Sequence, residues 1–104
     1  MVHVVIIGGG PGGYESALVA AQLGAQVTVV DTDGLGGSAV LTDCVPSKTL
    51  IATADLMAEL NGAQELGLVF SDDEGDAAHQ VNVDLARINA RVRRLAAEQS
   101  ADIE

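Results

Sequence analysis

The chain has 104 residues, of which 48% are hydrophobic, and a formal net charge of −10. This length and composition predict an acidic globular chain of at most one domain. Five Lys and Arg residues against fifteen Asp and Glu residues argue against a nucleic-acid-binding surface and against attraction to an anionic membrane.

The sequence contains no apolar run close to the ~20 residues that a membrane-spanning helix requires. Its first residues also lack the charged start and the longer apolar core of a signal peptide, so we expect a cytoplasmic protein. The single cysteine, Cys44, cannot form an internal disulfide, which agrees with a reducing compartment.

The first 30 residues predict a strand, a helix and a second strand. Residues 4–7 form a continuous β-branched run, which is typical of a strand buried on both faces in a parallel sheet. Residues 14–23 are rich in Ala and favour a helix that ends at Gly24, a residue suited to a helix C-cap. Residues 26–30 predict the second strand, which ends at Asp31.

The remaining residues predict two further helices. Residues 47–60 have helical periodicity, with the apolar positions Leu50, Ala54, Met57 and Leu60 on or near one face. Residues 66–70 fit either a short strand or a packed loop, and residues 71–76 fit a solvated acidic connection. Asp84 is expected to cap a long amphipathic helix whose apolar positions are Leu85, Ile88, Val92, Leu95 and Ala96.

These elements predict an α/β fold: a Rossmann-like unit with a parallel sheet and helices. A doubly wound nucleotide-binding half is built as βαβαβ, and the chain stops at Glu104, where a third parallel strand would be expected. We therefore expect residues 1–104 to be the N-terminal part of a nucleotide-binding domain, incomplete at its C-terminus.

A glycine-rich turn lies between the first strand and the first helix. Gly8, Gly10 and Gly13 have the GxGxxG spacing of dinucleotide-binding proteins. In that pattern the first glycine permits a tight turn, the second lets the backbone approach a pyrophosphate, and the third lets the helix pack against the strand. Pro11 and Gly12 complete the turn, whose helix start offers free N–H groups to an anion. The alternative is a purely structural turn.

Asp31 lies at the end of the second strand, 18 residues after Gly13. This is close to the ~20 residues expected for the acid that accepts hydrogen bonds from an adenosine ribose. A carboxylate there argues against a 2′-phosphate and so against NADP at this site. FAD and NAD both remain, because both carry the adenosine pyrophosphate.

The segment from Gly36 to Lys48 contains the pattern Gly-Gly-Ser-Ala, four residues, then Cys-Val-Pro-Ser-Lys. It resembles the active-site segment of the pyridine-nucleotide flavoprotein disulfide reductases, such as dihydrolipoyl dehydrogenase, which reads Gly-Gly-x-Cys, four residues, then Cys-x-Pro-Ser-Lys. Ala39 stands at the first cysteine position and Cys44 at the second. A dithiol couple needs two sulfurs with Cα atoms within about 7 Å, so this segment alone does not support disulfide exchange.

The resemblance extends from Val4 to Asp102 and implies that this N-terminal unit binds FAD, whereas NAD(P)H and the dimerisation surface belong to the missing part. It implies that Gly36, Gly37 and Ser38 line the ribityl and pyrophosphate region of FAD. Cys44 would lie against the flavin, and Lys48 would approach flavin N5 and stabilise negative charge on the reduced ring. Without the resemblance, Lys48 would be an ordinary solvated lysine and Cys44 a small buried hydrophobe.

The absence of the first cysteine favours the branch of this family that resembles NAD(P)H-quinone dehydrogenases. We expect the full-length protein to reduce a small two-electron acceptor such as a quinone and to be a homodimer. The alternatives are a transhydrogenase-like or dihydrolipoyl dehydrogenase-like flavoprotein, and a non-catalytic nucleotide-binding fragment. His3 and His79 lack the spacing of metal ligands, so no metal site is expected.

Overall fold

A computed structural model describes residues 1–68 and 81–104. In chain order the elements are strand β1 (His3–Ile7), helix α1 (Pro11–Gln22), strand β2 (Gln26–Val30), helix α2 (Gly37–Leu41), helix α3 (Cys44–Gly62), a 3-10 turn (Ala63–Leu66) and helix α4 (Leu85–Ile103). Of the predicted strand or loop at 66–70, Leu66 ends the 3-10 turn, and residues 69–70 lie outside the described residues. The predicted acidic connection at 71–76 lies outside them as well.

The two strands pair in parallel, from His3 opposite Gln26 to Ile7 opposite Val30. Helix α1 connects them and packs against both strands. Parallel strands need such a crossover, because a tight turn cannot return the chain to the same end of the sheet. The predicted α/β fold with a parallel sheet and helices is confirmed.

The sheet is covered by α1 on one face. Val4 and Ile6 are half-buried on that face, whereas Val5 is 57% exposed and Ile7 is 89% exposed on the other. The prediction that residues 4–7 are buried on both faces is therefore wrong for this chain. The reason is that α1 is the helix packed on these strands, and one helix covers one face.

Helix α1 ends in a Schellman motif. Gly24 has φ +86°, and its N–H donates to the carbonyl of Ala21 at 3.0 Å. The N–H of Ala25 donates to the carbonyl of Ala20, also at 3.0 Å. These bonds satisfy carbonyls of the last turn, and glycine adopts the left-handed conformation without a Cβ penalty. The predicted C-cap at Gly24 is confirmed.

Helix α3 begins at Cys44, before the predicted start at residue 47. Pro46 lies in its first turn, where a missing N–H costs no intrahelical hydrogen bond. The first bond is donated by Ser47, whose N–H lies 2.9 Å from the carbonyl oxygen of Asp43. A proline that seemed to precede the helix is therefore part of it.

The predicted apolar face of α3 is only partly correct. Met57 and Leu60 are half-buried, but Leu50 and Ala54 are exposed. The half-buried residues in this part of α3 are instead Thr49 and Thr53. The hydroxyl of Thr49 donates to the carbonyl of Val45 at 2.7 Å, and the hydroxyl of Thr53 donates to the carbonyl of Thr49 at 3.4 Å. Because their hydroxyls are satisfied within the helix, these threonines can lie on the half-buried face.

Helix α4 follows the predicted pattern closely. The carboxylate of Asp84 accepts the N–H of Arg87 at 3.0 Å, which confirms the predicted N-cap. Ala96 and Ser100 are the buried residues of the helix, 3% and 7% exposed. Leu85, which was expected on the apolar face, is 60% exposed because it lies in the first turn, outside the packed part of the helix.

Among the described residues, the buried side chains are Val40 of α2, Ala63 of the 3-10 turn, and Ala96 and Ser100 of α4. Helices α2 and α4, which carry three of the four, contact each other. The radius of gyration is 21.5 Å, well above the ~13 Å expected of a compact chain of this length. The chain as a whole is therefore elongated, and it consists of a βαβ unit followed by helices α2, α3 and α4. Within residues 1–68 and 81–104, no helix is long and apolar enough to cross a membrane.

Candidate nucleotide-binding site

The glycine turn lies at the carboxyl ends of the two strands. Gly8 follows β1 with φ +105°, and its N–H donates to the carbonyl of Val30 at 2.8 Å. Gly10 is the N-cap of α1, and Pro11 is its first helical residue. The turn therefore places the start of α1 beside the end of β2, where ligands bind in open α/β sheets.

Gly13 allows α1 to approach β1 closely. A Cβ built on Gly13 would overlap the carbonyl oxygen of Gly8 and would lie 3.5 Å from Cγ2 of Ile6. Any side chain at this position would push the helix away from the strand. The packing role predicted for Gly13 is confirmed.

The first turn of α1 has the features of an anion-binding site. The N–H groups of Gly12 and Gly13 precede the first intrahelical donor, Tyr14, whose N–H lies 3.0 Å from the Gly10 carbonyl oxygen. A Cβ built on Gly12 would meet nothing within 4 Å, so the space beside it is open. Free N–H groups, open space and the positive end of the helix dipole fit a pyrophosphate group.

Asp31 is bound by backbone N–H groups on both carboxylate oxygens. Oδ2 accepts the N–H of Gly9 at 2.6 Å, and Oδ1 accepts the N–H of Asp33 at 2.8 Å. The hydrogen bond from Asp33 and then that from Gly9 lower the pKa of Asp31 below its usual range. An exposed, ionised carboxylate has further lone pairs on each oxygen, so Asp31 can still accept a ribose hydroxyl.

Gly36 and Gly37 lie directly against Gly9 and Gly10 of the glycine turn. The N–H of Gly36 donates to the carbonyl of Gly9 at 2.7 Å. A Cβ built on Gly37 would lie 2.7 Å from Cα of Gly10. Gly36 and Gly37 both have positive φ, +107° and +63°, which glycine adopts without a Cβ penalty. The fold thus brings together the two glycine segments that the sequence singled out separately.

Ser38 and the cysteine segment continue from this contact. Ser38 is exposed in α2, and its carbonyl accepts the N–H groups of Thr42 at 3.0 Å and Asp43 at 2.7 Å. Cys44 and Lys48 lie on the first turns of α3, four residues apart and so on one face, and both are exposed. Cys44 is therefore not the small buried hydrophobe of the alternative interpretation. The roles assigned to Ser38, Cys44 and Lys48 toward a flavin stay predictions.

Sequence reasoning missed three residues of this site. Gly9 was treated as a variable position of the pattern, although its N–H and carbonyl bind Asp31 and Gly36. Leu35 packs on Gly9: its Cδ2 lies 2.6 Å from a Cβ built there. Ser100 donates its hydroxyl to the Leu35 carbonyl across 65 positions of sequence. Helical spacing was the one sequence signal for Ser100, because this residue follows Ala96 by four positions and so lies on the same face of α4.

A parallel βαβ unit with a glycine turn, a free helix N-terminus and a carboxylate at the end of the second strand defines a Rossmann-type nucleotide-binding unit. Residues 2–104 match the pyridine nucleotide-disulphide oxidoreductase family. The chain belongs to this family, which confirms the resemblance found in the sequence.

Several known proteins align with most or nearly all of the chain. It is 55% identical over 106 residues to NAD(P)H dehydrogenase (quinone) of Mycobacterium tuberculosis, covering 99% of this chain and 20% of the relative. It is 40% identical over 79 residues to dihydrolipoyl dehydrogenase of Halobacterium salinarum, covering 76% of this chain and 16% of the relative. A crystal structure of LpdA from Mycobacterium tuberculosis superposes with a TM-score of 0.80 at 52% identity, covering 99% of this chain and 20% of that one. The chain thus spans about a fifth of the length of its relatives.

Proposed function

We propose that the chain is the FAD-binding portion of an NAD(P)H-dependent flavoprotein oxidoreductase that reduces a quinone or a similar two-electron acceptor without a redox-active disulfide. The observation that carries this proposal is Ala39 at the position of the first active-site cysteine, with Cys44 the single cysteine of the chain. The high identity to a relative named as a quinone dehydrogenase supports it.

The residues present fit FAD. The N–H groups of Gly12 and Gly13 would hold the pyrophosphate, and Asp31 would accept a hydroxyl of the adenosine ribose. Gly36 and Gly37, pressed against the glycine turn, would continue this surface toward the ribityl chain. The nicotinamide co-substrate would bind outside this chain. The predicted homodimer and the predicted cytoplasmic location stay predictions.

FAD supplies reversible two-electron chemistry when it is bound. The helix α1 dipole and the free N–H groups would balance the pyrophosphate charge, while the ionised Asp31 would orient the ribose. The ammonium group of Lys48 would stabilise negative charge on a reduced flavin. Ala39 carries no sulfur, so it cannot attack an outside disulfide. These residues would hold and orient FAD, and the chain offers no second thiol through which electrons would have to pass on the way to a small oxidant.

The test compares two reactions of the intact protein that carries this chain: NAD(P)H-dependent reduction of a quinone and NAD+-dependent oxidation of dihydrolipoamide. We expect turnover with a soluble quinone to exceed turnover with dihydrolipoamide by orders of magnitude. The variant Ala39→Cys supplies the missing sulfur at the first cysteine position and is expected to gain dihydrolipoamide turnover. Ala39→Ser, of similar size, is the matched control and should not gain it. Comparable dihydrolipoamide and quinone turnover in the unaltered protein would contradict the proposal.

A second candidate applies to the 104 residues alone: a nucleotide-binding chain without catalytic activity. The exposure of Ile7 at 89% and Val30 at 49% favours it, because an uncovered sheet face leaves the nucleotide site on a weakly supported scaffold. In this case the isolated chain would bind FAD weakly or not at all, and it would not oxidise NADH or NADPH.

A further inference from the structure

We propose that Ser100, near the end of α4, is a positioning residue for the glycine loop at residues 34–37. Its hydroxyl fixes the Leu35 carbonyl, and Leu35 and its neighbours fix the nucleotide-binding turn at Gly9 and Gly10. The consequence for FAD affinity rests on the function proposed above, whereas the positioning of the loop does not.

The contact between Ser100 and the loop is buried and specific. Ser100 is 7% exposed, and its Oγ donates a hydrogen bond to the carbonyl oxygen of Leu35. Gly34, with φ +111°, leaves room for this hydroxyl, because a Cβ there would lie 3.1 Å from Ser100 Oγ. A side chain at residue 34 would crowd the hydrogen bond from the loop side.

The other side of the loop contacts the turn directly. Leu35 Cδ2 lies 2.6 Å from a Cβ built on Gly9, and the N–H of Gly36 donates to the Gly9 carbonyl at 2.7 Å. Gly37 lies against Cα of Gly10. A continuous series of contacts therefore leads from α4 through Leu35 and Gly36 to the turn.

Packing alone does not account for a serine at this position. Alanine would fill nearly the same volume and has a higher helix propensity than serine. What serine adds is a donor for a carbonyl in a loop of glycines, whose backbone is otherwise free to adopt other conformations. A loop held in its binding conformation before the ligand arrives loses less entropy on binding.

The experiment uses the intact protein that carries this chain and compares Ser100→Ala and Ser100→Cys with the unaltered protein. The thiol of Ser100→Cys is a weaker donor on a larger atom, so this second variant also disrupts the hydrogen bond and gives a readout if Ser100→Ala fails to fold. Thr53→Ala is the matched control, because the Thr53 hydroxyl donates within α3, to the Thr49 carbonyl, and not to the loop. Hydrogen exchange is followed on peptides covering residues 34–37, α1 and α4, and the dissociation constant of FAD is measured by fluorescence.

We expect both Ser100 variants to speed exchange at residues 34–37 selectively and to weaken FAD binding roughly five- to tenfold, the effect of one lost hydrogen bond. Thr53→Ala should leave both readouts unchanged. Unchanged loop exchange in the Ser100 variants, or faster exchange in α1 and α4 to the same extent, would overturn the proposal. If the unaltered protein binds no FAD, the proposed function fails, and loop exchange still decides the role of Ser100.

Discussion

Gly12 and Gly13 are neighbours in the first turn of α1 and have opposite surroundings. A Cβ on Gly13 overlaps the carbonyl oxygen of Gly8, whereas a Cβ on Gly12 meets nothing within 4 Å. The obstacle at Gly13 is backbone, so it cannot turn aside as a flexible side chain would. The two positions therefore separate the cost of a clash from the cost of replacing a glycine.

We predict that Gly13→Ala lowers the free energy of unfolding by about 1–3 kcal/mol, the range of forced overpacking. Gly12→Ala should change it by less than about 1 kcal/mol and in the stabilising direction, since alanine favours the helix. Urea unfolding of both variants checks this. Equal losses of stability at the two positions would show that the close approach of α1 and β1 is not decisive.

Asp31 makes the stability of the folded chain depend on pH, and the sign of this dependence follows from the lowered pKa of its carboxyl group. The folded state holds the carboxylate with the N–H groups of Asp33 and Gly9, so it binds a proton less readily than the unfolded chain. This contribution to stability is fully present above the unfolded pKa of about 3.9. It is lost as the pH falls through the lower folded pKa.

We predict that Asp31→Asn removes this contribution, because an amide offers one acceptor oxygen where the carboxylate offers two. The stability difference between the unaltered protein and Asp31→Asn should be present at neutral pH and should shrink below about pH 4. Unfolding midpoints measured from pH 7 to pH 2 test this. Asp55→Asn, on an exposed position of α3, removes the same charge and serves as the control. A difference that persists at pH 2 would contradict the assignment.

At the scale of elements, α4 shows a cap that can be tested without touching the site. Asp84 accepts the N–H of Arg87, and it also places a negative charge at the positive end of the helix dipole. Asp102 lies at the opposite end of the same helix, where a negative charge is unfavourable. The two residues are thus a matched pair with opposite expected effects.

We predict that Asp84→Ala lowers the free energy of unfolding by about 1 kcal/mol. Asp102→Ala should be neutral or stabilising by a few tenths of a kcal/mol. Thermal unfolding followed by circular dichroism measures both. A loss in Asp102→Ala as large as that in Asp84→Ala would indicate a general effect of losing an acid, not the loss of a cap.

The elements also show where sequence patterns succeed. The caps at Gly24 and Asp84 depend on bonds between residues a few positions apart, and both were predicted correctly. The face of α3 was predicted less well because its half-buried positions include Thr49 and Thr53. A hydropathy pattern treats these residues as polar, although their hydroxyls are satisfied inside the helix.

At the scale of the whole molecule, the sheet limits what the 104 residues can do alone. Val5 and Ile7 are 57% and 89% exposed on the face opposite α1. A small sheet covered on one face buries little apolar area, so its stability is marginal. The backbone of the nucleotide-binding site is therefore formed, but the sheet that carries it has marginal stability.

We predict that the isolated 104-residue chain loses FAD during gel filtration, whereas the intact protein that carries it retains a yellow flavin. Added FAD should raise the unfolding temperature of the intact protein more than that of the isolated chain, because a ligand that binds the folded state alone stabilises it more the tighter it binds. Absorbance of the eluted protein and thermal melting with added FAD test this. An isolated chain that stays yellow through the column would show that this scaffold suffices.

The sequence by itself determined the strand, helix and strand order, the glycine turn, the carboxylate of Asp31 and the family, because these features depend on residue type and on short spacings. Only the tertiary structure decided that Gly36 and Gly37 lie against Gly9 and Gly10, that Asp31 is held by two backbone N–H groups, and that Ser100 binds Leu35. Apart from the local bond between Asp31 and the Asp33 N–H, those contacts join residues 22 or more positions apart in the chain. No local period encodes them, since they arise only when the strands pair and when α2 and α4 pack beside the turn.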